Sequence, residues 1–340
     1  MEMSLGLFGK PSSKWLASDI FGGEPEKARR QRLIAIQAIQ ENYMKFGQVD
    51  DPENVDFTIP PDHPDTAKVL KRTAKSKDLE VYVGCAKWNK KDLKNFYPKG
   101  VKDELAYYSK QFNSIELNAT FYNLPPPATF EKWHATVPEH FRFFPKLQNS
   151  ISHFRRLKDV QEFVEQNVTN MSHLREKLGM PFLQLHDNFG PKDFDRVVTF
   201  AENWTYDVPV AIEFRHTDWH NDPAVSSRLY DLLETRGITN ILVDTAGRRD
   251  LMHMRLTTQA AFIRWVGANV PQSDRSRLDE WIGRISKWKR GGLRKLYFFV
   301  HQNDEQESPA LAAYFIKGLN KEIGSALPIP KTLEDKGLFD

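Results

Sequence analysis

From residue 81 onward the chain alternates between short apolar or β-branched runs and longer stretches with helical spacing. The runs are Val81–Cys85, Ser114–Asn118, Arg142–Lys146, Phe182–Leu185, Val210–Glu213, Asn240–Val243, Phe262–Trp265 and Lys295–Val300. They start about 22 to 40 residues apart, room for a strand, a loop and a returning helix. The clearest helices between them are predicted over Asp159–Leu178, Pro223–Arg236, Asp274–Lys289 and Pro309–Ile323. Proline opens two of these at the first helical position, where its missing N–H does no harm. Strands alternating with helices predict an α/β fold with a parallel sheet, and eight such units allow closure. The expected architecture is a TIM-type (β/α)₈ barrel over residues 81–324. An open doubly wound sheet is the alternative, but no GxGxxG follows a strand and no GxxxxGK[ST] occurs.

Residues 1–80 break this rhythm. Leu33, Ile36, Ala38, Ile39 and Tyr43 form a helical stripe within residues 28–46. Residues 51–65 are rich in proline and acid and predict irregular chain, and a short helix is expected over 66–77. So little patterned apolar content makes a poor core on its own. The segment is therefore expected as an N-terminal extension packed on the barrel, and residues 325–340 as a C-terminal tail.

Alternation along a strand puts residues i and i+2 on one face, which sorts the strand ends chemically. The second run offers Glu116 and Asn118, the third ends at Lys146, and the fourth offers Gln184 and His186. The fifth carries Glu213 and Arg215, followed by His216 and Trp219. The sixth reaches Asp244, the seventh carries Arg264, and the eighth runs out through His301 and Asn303. Barrel active sites lie at this rim because the loops from strand to helix leave from it. A structural polar plug, in which these groups only satisfy one another, is the competing reading. Glu116 and Glu213 lie three strands apart and could face each other, with their pKa values pushed apart as acid and base. With Asp244, His186 or His301 they could instead ligate a divalent metal. Lys146, Arg215 and Arg264 suit an anionic ligand group. His153 follows the third strand, and Trp88, Phe121, Tyr122 and Trp219 follow strand ends where they could wall a pocket.

Bulk properties narrow the classes. Lysine and arginine number 48 against 45 acidic residues, a net charge of +3, and the basic runs are short. A nucleic-acid binder usually carries a stronger or more clustered bias. Apolar residues at 40% and aromatics at 12% suffice for a sizeable core. The single cysteine, Cys85, permits no intrachain disulfide, fits the reducing cytoplasm, and is expected as a buried thiol rather than a nucleophile. The N-terminal residues do not have the pattern of a secretion signal, and no run approaches the roughly 20 apolar residues that span a membrane.

At Gly84-Cys85-Ala86-Lys87-Trp88, Ile115–Tyr122, Phe143-Phe144-Pro145-Lys146, Ile151-Ser152-His153 and Ala211–His216 with Trp219, the chain resembles the YecE-like proteins, domain of unknown function 72. The resemblance runs from about Val81 to Gly318 in the right order. It implies a TIM-type barrel and a rim site on the matching glutamates, asparagine, lysine, histidine and arginine, and no reaction. There are departures. Ala86-Lys87 stands where the family usually has serine-glycine before the tryptophan. His186-Asp187 replaces a double proline, and the paired asparagines after the last strand appear as Val300-His301-Gln302-Asn303. The stretch Asp244–Arg249 looks like a subgroup variant.

The leading expectation is an enzyme acting on a small anionic or sugar-like substrate, with hydrolase, lyase and isomerase chemistry all open. Glu116 and Glu213 would be the acid–base pair, with His216 or His153 as a second proton handler. Lys146, Arg215 and Arg264 would clamp an anion, and Asn118, Tyr122, Trp219, Asp244, His301, Asn303 and Trp88 would complete substrate binding. No cofactor is expected, a divalent metal being the alternative. A metal-dependent phosphodiesterase or endonuclease is a second reading, without an HxH or HExxH pattern to support it. A non-catalytic ligand-binding or scaffold protein is the third. The partners expected are a small, anionic molecule and no membrane, with nucleic acid as the weaker alternative and the oligomeric state left open.

Overall fold

The computed structural model describes residues 48–72 and 78–332. The helix expected within 28–46 lies outside the described residues, as do 73–77 and 333–340.

The architecture is mixed α/β with parallel sheets. The strands are β1 (Glu80–Cys85), β2 (Ser114–Leu117), β3 (Arg142–Pro145), β4 (Phe182–Gln184), β5 (Ala211–Glu213), β6 (Thr239–Asn240), β7 (Leu242–Thr245), β8 (Ala260–Val266) and β9 (Lys295–His301). They form a four-stranded sheet ordered β1-β9-β8-β7, a pair β2-β3, and a three-stranded sheet β4-β5-β6. The sixth predicted strand is thus divided at Ile241, its first part paired with β5 and its second with β8. Ile241 itself still donates its N–H to the Ile212 carbonyl at 2.9 Å. The first strand pairs in parallel with the last, Val83 opposite Phe298.

Between the sheets, individual contacts carry the connection. Asn113 accepts from the Val83 N–H at 3.0 Å and donates to the Val81 carbonyl at 2.7 Å, so one amide holds β1 beside the start of β2. The Tyr108 hydroxyl accepts from Cys85 N–H at 2.7 Å and donates to the Ser114 carbonyl at 3.1 Å. Gly84 packs directly on the Ser114 carbonyl, where a Cβ would collide with backbone. On the other side of the pair, Leu147 N–H donates to the Phe182 carbonyl at 2.8 Å and Gly179 N–H to the Phe143 carbonyl at 2.7 Å, linking β3 to β4.

Helices return the chain between strands, and the four clearest expectations correspond to Gln161–Ser172, Pro223–Thr235, Pro271–Gly291 and Ser308–Ile323. Asp222 caps the second, accepting from Ala224 and Val225 N–H at 2.9 and 3.2 Å just ahead of Pro223. The first stops six residues early, because the chain turns after Ser172 into a short 3₁₀ segment, Arg175–Lys177.

Residues 59–72 lie against the loop after β7 and the helix Pro271–Gly291. Thr66 Oγ1 donates to the Met254 carbonyl at 2.7 Å and accepts from Leu256 N–H at 3.1 Å. Asp62 accepts from Arg284 and Lys287, each at 2.7 Å, and from the Trp288 indole at 3.1 Å. Among the described residues no helix is long and apolar enough to cross a membrane.

Candidate functional site

Parallel register decides which side chains share a face. Glu116 stands opposite Phe144, Gln184 opposite Glu213, and Arg264 opposite both Val243 and Phe299. That face carries two successive layers. The lower is aromatic: Phe144 lies 5.0 Å from Phe299 and 4.8 Å from Tyr297, and Phe262 lies 5.2 Å from Phe299 and 5.4 Å from Phe182, all centroid to centroid. The upper is ionic, and it stands at the C-terminal strand ends where the sequence placed the site.

Arg264 organises the ionic layer. Its Nε and Nη2 donate to Glu116 at 2.8 and 2.7 Å, and its Nη1 donates to Glu213 at 2.5 Å. One guanidinium on the four-stranded sheet thereby ties together a carboxylate from each of the other two. Glu116 also accepts from Asn118 at 2.7 Å and stands 3.1 Å from His301 Nε2. Glu213 accepts from Arg215 Nε at 2.5 Å and from Gln184 at 2.9 Å. Gln184 passes the chain on, its carbonyl accepting from Lys146 Nζ at 2.6 Å. Both glutamates are fully buried, and Lys146 and Arg264 nearly so.

The electrostatics bear on two roles expected from the sequence. Burial pushes both carboxyls up, yet the guanidiniums outweigh it. Arg264 and His301 hold Glu116 well below the usual carboxylate range. Arg215 and Arg264 bring Glu213 down to about 2. Arg264 between the two carboxylates offsets the repulsion that would have pushed their pKa values apart. The second role is Lys146 as a cationic clamp. Burial, with Arg264 and Arg215 beside it, depresses the Lys146 ammonium well below its ordinary value. Burial and the neighbouring guanidiniums thus work against the charged form of this amine. Arg264, with three donors committed to carboxylates, likewise serves the framework rather than an incoming anion.

His153 joins Lys146 from above. It belongs to a π-helical turn, Ser150–Phe154, of the kind frequent at functional sites. Its ring meets Phe121 edge-on at 4.9 Å, while Lys146 Nζ lies 3.9 Å from the centre of the same ring. Ser152 Oγ is 2.8 Å from His153 Nδ1. Burial, then Lys146 and His186, lower its pKa to about 2, so the imidazole is neutral. His186 lies 5.1 Å from it and pairs with Asp187 at 2.6 Å.

Other expected residues stand elsewhere. Asp244 is opposite Trp265, on the far face of its sheet, bonded to Arg277 at 2.6 Å, to the Trp281 indole at 2.7 Å and to Arg249. The expected parity was off by one residue, which sends a side chain to the opposite face. The run Ile241–Val243 is buried on both faces, so nothing in it marks the parity. Trp219 is fully buried, its indole donating to the Phe189 carbonyl at 2.7 Å and its ring stacked on Phe189. Trp88 packs on Trp133 and Phe143. Trp219 is thereby closed to a ligand, while Trp88 stays half-buried. His216 turns to Asp218, 3.7 Å away, Tyr122 packs edge-on against Phe121, and Asn303 is exposed beyond β9. Cys85 is buried, which pushes its thiol up, well away from a nucleophile's range. Gln184 is the member whose importance the sequence understated; its i+2 spacing from Phe182 was the available signal. Among the described residues no group of three or more His, Cys, Asp and Glu side chains is arranged to hold a metal ion.

Most of the chain is similar to known proteins. The family described as "Protein of unknown function DUF72" matches residues 82–334. The UPF0759 protein YecE of Escherichia coli K12 is 26% identical over 280 residues, covering 76% of this chain and all of that protein. A DUF72 family protein of known structure from Thermotoga maritima superimposes with a TM-score of 0.58 at 26% identity, over 71% of this chain and 99% of that one. One from Enterococcus faecalis gives a TM-score of 0.58 at 16% identity, over 74% of this chain and all of that one, a likeness of fold alone.

Proposed function

The chain belongs to the DUF72 family, and from that premise we propose an enzyme that performs acid–base chemistry on a small anionic substrate at the C-terminal strand ends. The observation that carries this reading is the buried Lys146 Nζ, bonded to Gln184 in a layer with Arg215 and Arg264 and facing the same Phe121 ring as His153, with burial depressing the pKa of both. Two nitrogen bases with depressed pKa stand against one aromatic ring, on a framework whose carboxylates and guanidiniums balance, and a nearby anion would raise the proton affinity of both. A proton taken up by either leaves uncompensated positive charge, which an anion arriving beside them would offset. The sugar-like alternative keeps only the half-buried Trp88 as a candidate stacking ring, since Trp219 lies in the core.

The same reading includes closure of the three sheets into one (β/α)₈ barrel. Pairing of the first strand with the last, the Asn113 and Leu147 bridges, and an Arg264 that reaches carboxylates on both other sheets all support it.

Proton-linked binding tests the site. A panel of small carboxylates and phosphate monoesters is titrated by calorimetry at pH 7.5 in buffers of different ionisation enthalpy. The expected result is binding of at least one anion with uptake of close to one proton, lost in Lys146→Met. Binding without proton uptake, or uptake unchanged in that variant, would remove Lys146 as the base and the proposal with it.

A further inference from the structure

We propose that residues 150–159 form a lid over the strand-end site and that Arg156 is its latch; this rests on the reading of the strand ends as the site and adds how a ligand reaches them.

The ionic layer is sealed. Glu116 and Glu213 are fully buried, and Lys146 and Arg264 are 1% and 2% exposed. A ligand meets these groups only after a covering element moves, and the turn that follows β3 is built to do so. Its backbone bonds close on the turn itself. Ile151 N–H donates to the Gln148 carbonyl at 3.0 Å, Arg155 to Ser150 at 3.1 Å, Leu157 to Ile151 at 3.0 Å and Lys158 to Arg155 at 2.9 Å. Such a unit can swing as one body without breaking a sheet ladder. Its roots stay fixed, because Leu147 N–H is bonded to the Phe182 carbonyl and Gln148 N–H to the Asn167 side chain at 3.2 Å.

The far end of the turn supplies a hinge. Arg156, Leu157 and Asp159 have φ of 50°, 61° and 50°. Left-handed backbone is disfavoured at residues other than glycine, and three such residues in four positions hold strain that a change of dihedral relieves. Beside them lies a cleft of about 500 Å³, with Leu157, Asp159 and Val160 on one wall and Phe200 and Trp204 on the other, into which the hinge can move. The latch opposes that strain. Arg156 donates to the Asn188 side chain at 2.5 Å and to the Asn188 carbonyl at 3.1 Å, and stands 3.5 Å from the Asp193 carboxylate. Arg196 donates to the Arg156 carbonyl at 3.2 Å. These partners follow β4, so Arg156 ties the turn after one strand to the loop after the next. The lid meets the site through His153, whose ring lies between Phe121 and His186. Opening lifts His153 off the Phe121 ring that Lys146 faces.

Thiol labelling tests the lid. Ser152 is fully buried within the turn, and Cys85, the single cysteine of the chain, is buried in β1. The Ser152→Cys protein therefore carries a reporter on the lid and a control in a strand. It is treated with iodoacetamide under native conditions and mapped by peptide. The introduced thiol should react at least tenfold faster than Cys85, since local opening precedes global unfolding. Adding Arg156→Ala should raise that rate about tenfold again, as the loss of a charged hydrogen bond requires, and leave Cys85 unchanged. Equal rates at the two thiols would mean that the turn opens only with the whole fold. An unchanged rate in Arg156→Ala would remove the latch, and either result overturns the proposal. Should Ser152→Cys fail to fold, tryptic cleavage at Arg155 and Lys158 of the wild-type chain takes its place, with the same acceleration expected from Arg156→Ala. Neither readout needs a ligand. Labelling as expected without proton-linked anion binding would overturn the acid–base reading and leave the lid standing.

Discussion

At the scale of single residues, Arg264 governs the site. Its side chain makes a bidentate contact to Glu116 and a third bond to Glu213, a geometry that a lysine ammonium cannot reproduce. Arg264→Lys leaves one or both carboxylates buried and underbonded, which should cost about 3–5 kcal/mol, read as a lowered urea midpoint. The same layer sets an acid limit. The Glu213 carboxyl is near its ordinary 4.5 in the unfolded chain and at about 2 in the folded one. Below 4.5 the unfolded state therefore binds the additional proton. The stability from Glu213 is complete above pH 4.5 and is lost as pH falls through about 2. Unfolding at stepped pH should show that decline in the wild type. Glu213→Gln should start less stable and decline less steeply over the same window. The strand-end position of Glu116, Glu213, Lys146 and Arg264 was legible from i, i+2 alternation. Their bonding was not, because a sequence pattern orders faces but does not say which guanidinium lies between which carboxylates.

At the scale of elements, the junction between β1 and β2 is the sensitive one. Strands within a sheet are held by runs of backbone pairs and β3 meets β4 through isolated backbone bridges, whereas here Asn113, Tyr108 and the close approach at Gly84 make the connection. Gly84→Ala forces β1 off the Ser114 carbonyl and should destabilise by about 3 kcal/mol, the upper end of ordinary overpacking. Thermal unfolding would measure it; an unchanged midpoint would mean the strands part without consequence. Helices such as Pro223–Thr235 were readable nearly to the residue, since Asp222 and Pro223 write the start locally. The division at Ile241 and the outward face of Asp244 were not, since runs buried on both sides lose the alternation that marks a face.

At the scale of the whole molecule, residues 59–72 are held by few but strong bonds, with Asp62 receiving three donors from the helix Pro271–Gly291. Asp62→Ala should release this segment locally while the sheets stay folded. Limited proteolysis should then cut within residues 48–72 about tenfold faster, matching the loss of a charged hydrogen bond worth roughly 1.5 kcal/mol. Equal cleavage rates would place the anchoring in the apolar contacts of Ile59 and Leu70 instead.

The sequence by itself determined the succession of strands and helices and the polar character of the strand ends, because periodicity and capping act over a few neighbouring residues. Tertiary structure alone decided which way each proton affinity shifts. Whether Lys146 is a cation or a base depends on burial and on Arg215 and Arg264, which lie 69 and 118 positions further along the chain (215 − 146 and 264 − 146) and reach it only once the sheets assemble. Electrostatic work follows distance in space and exclusion of water, and neither is written in the order of residues.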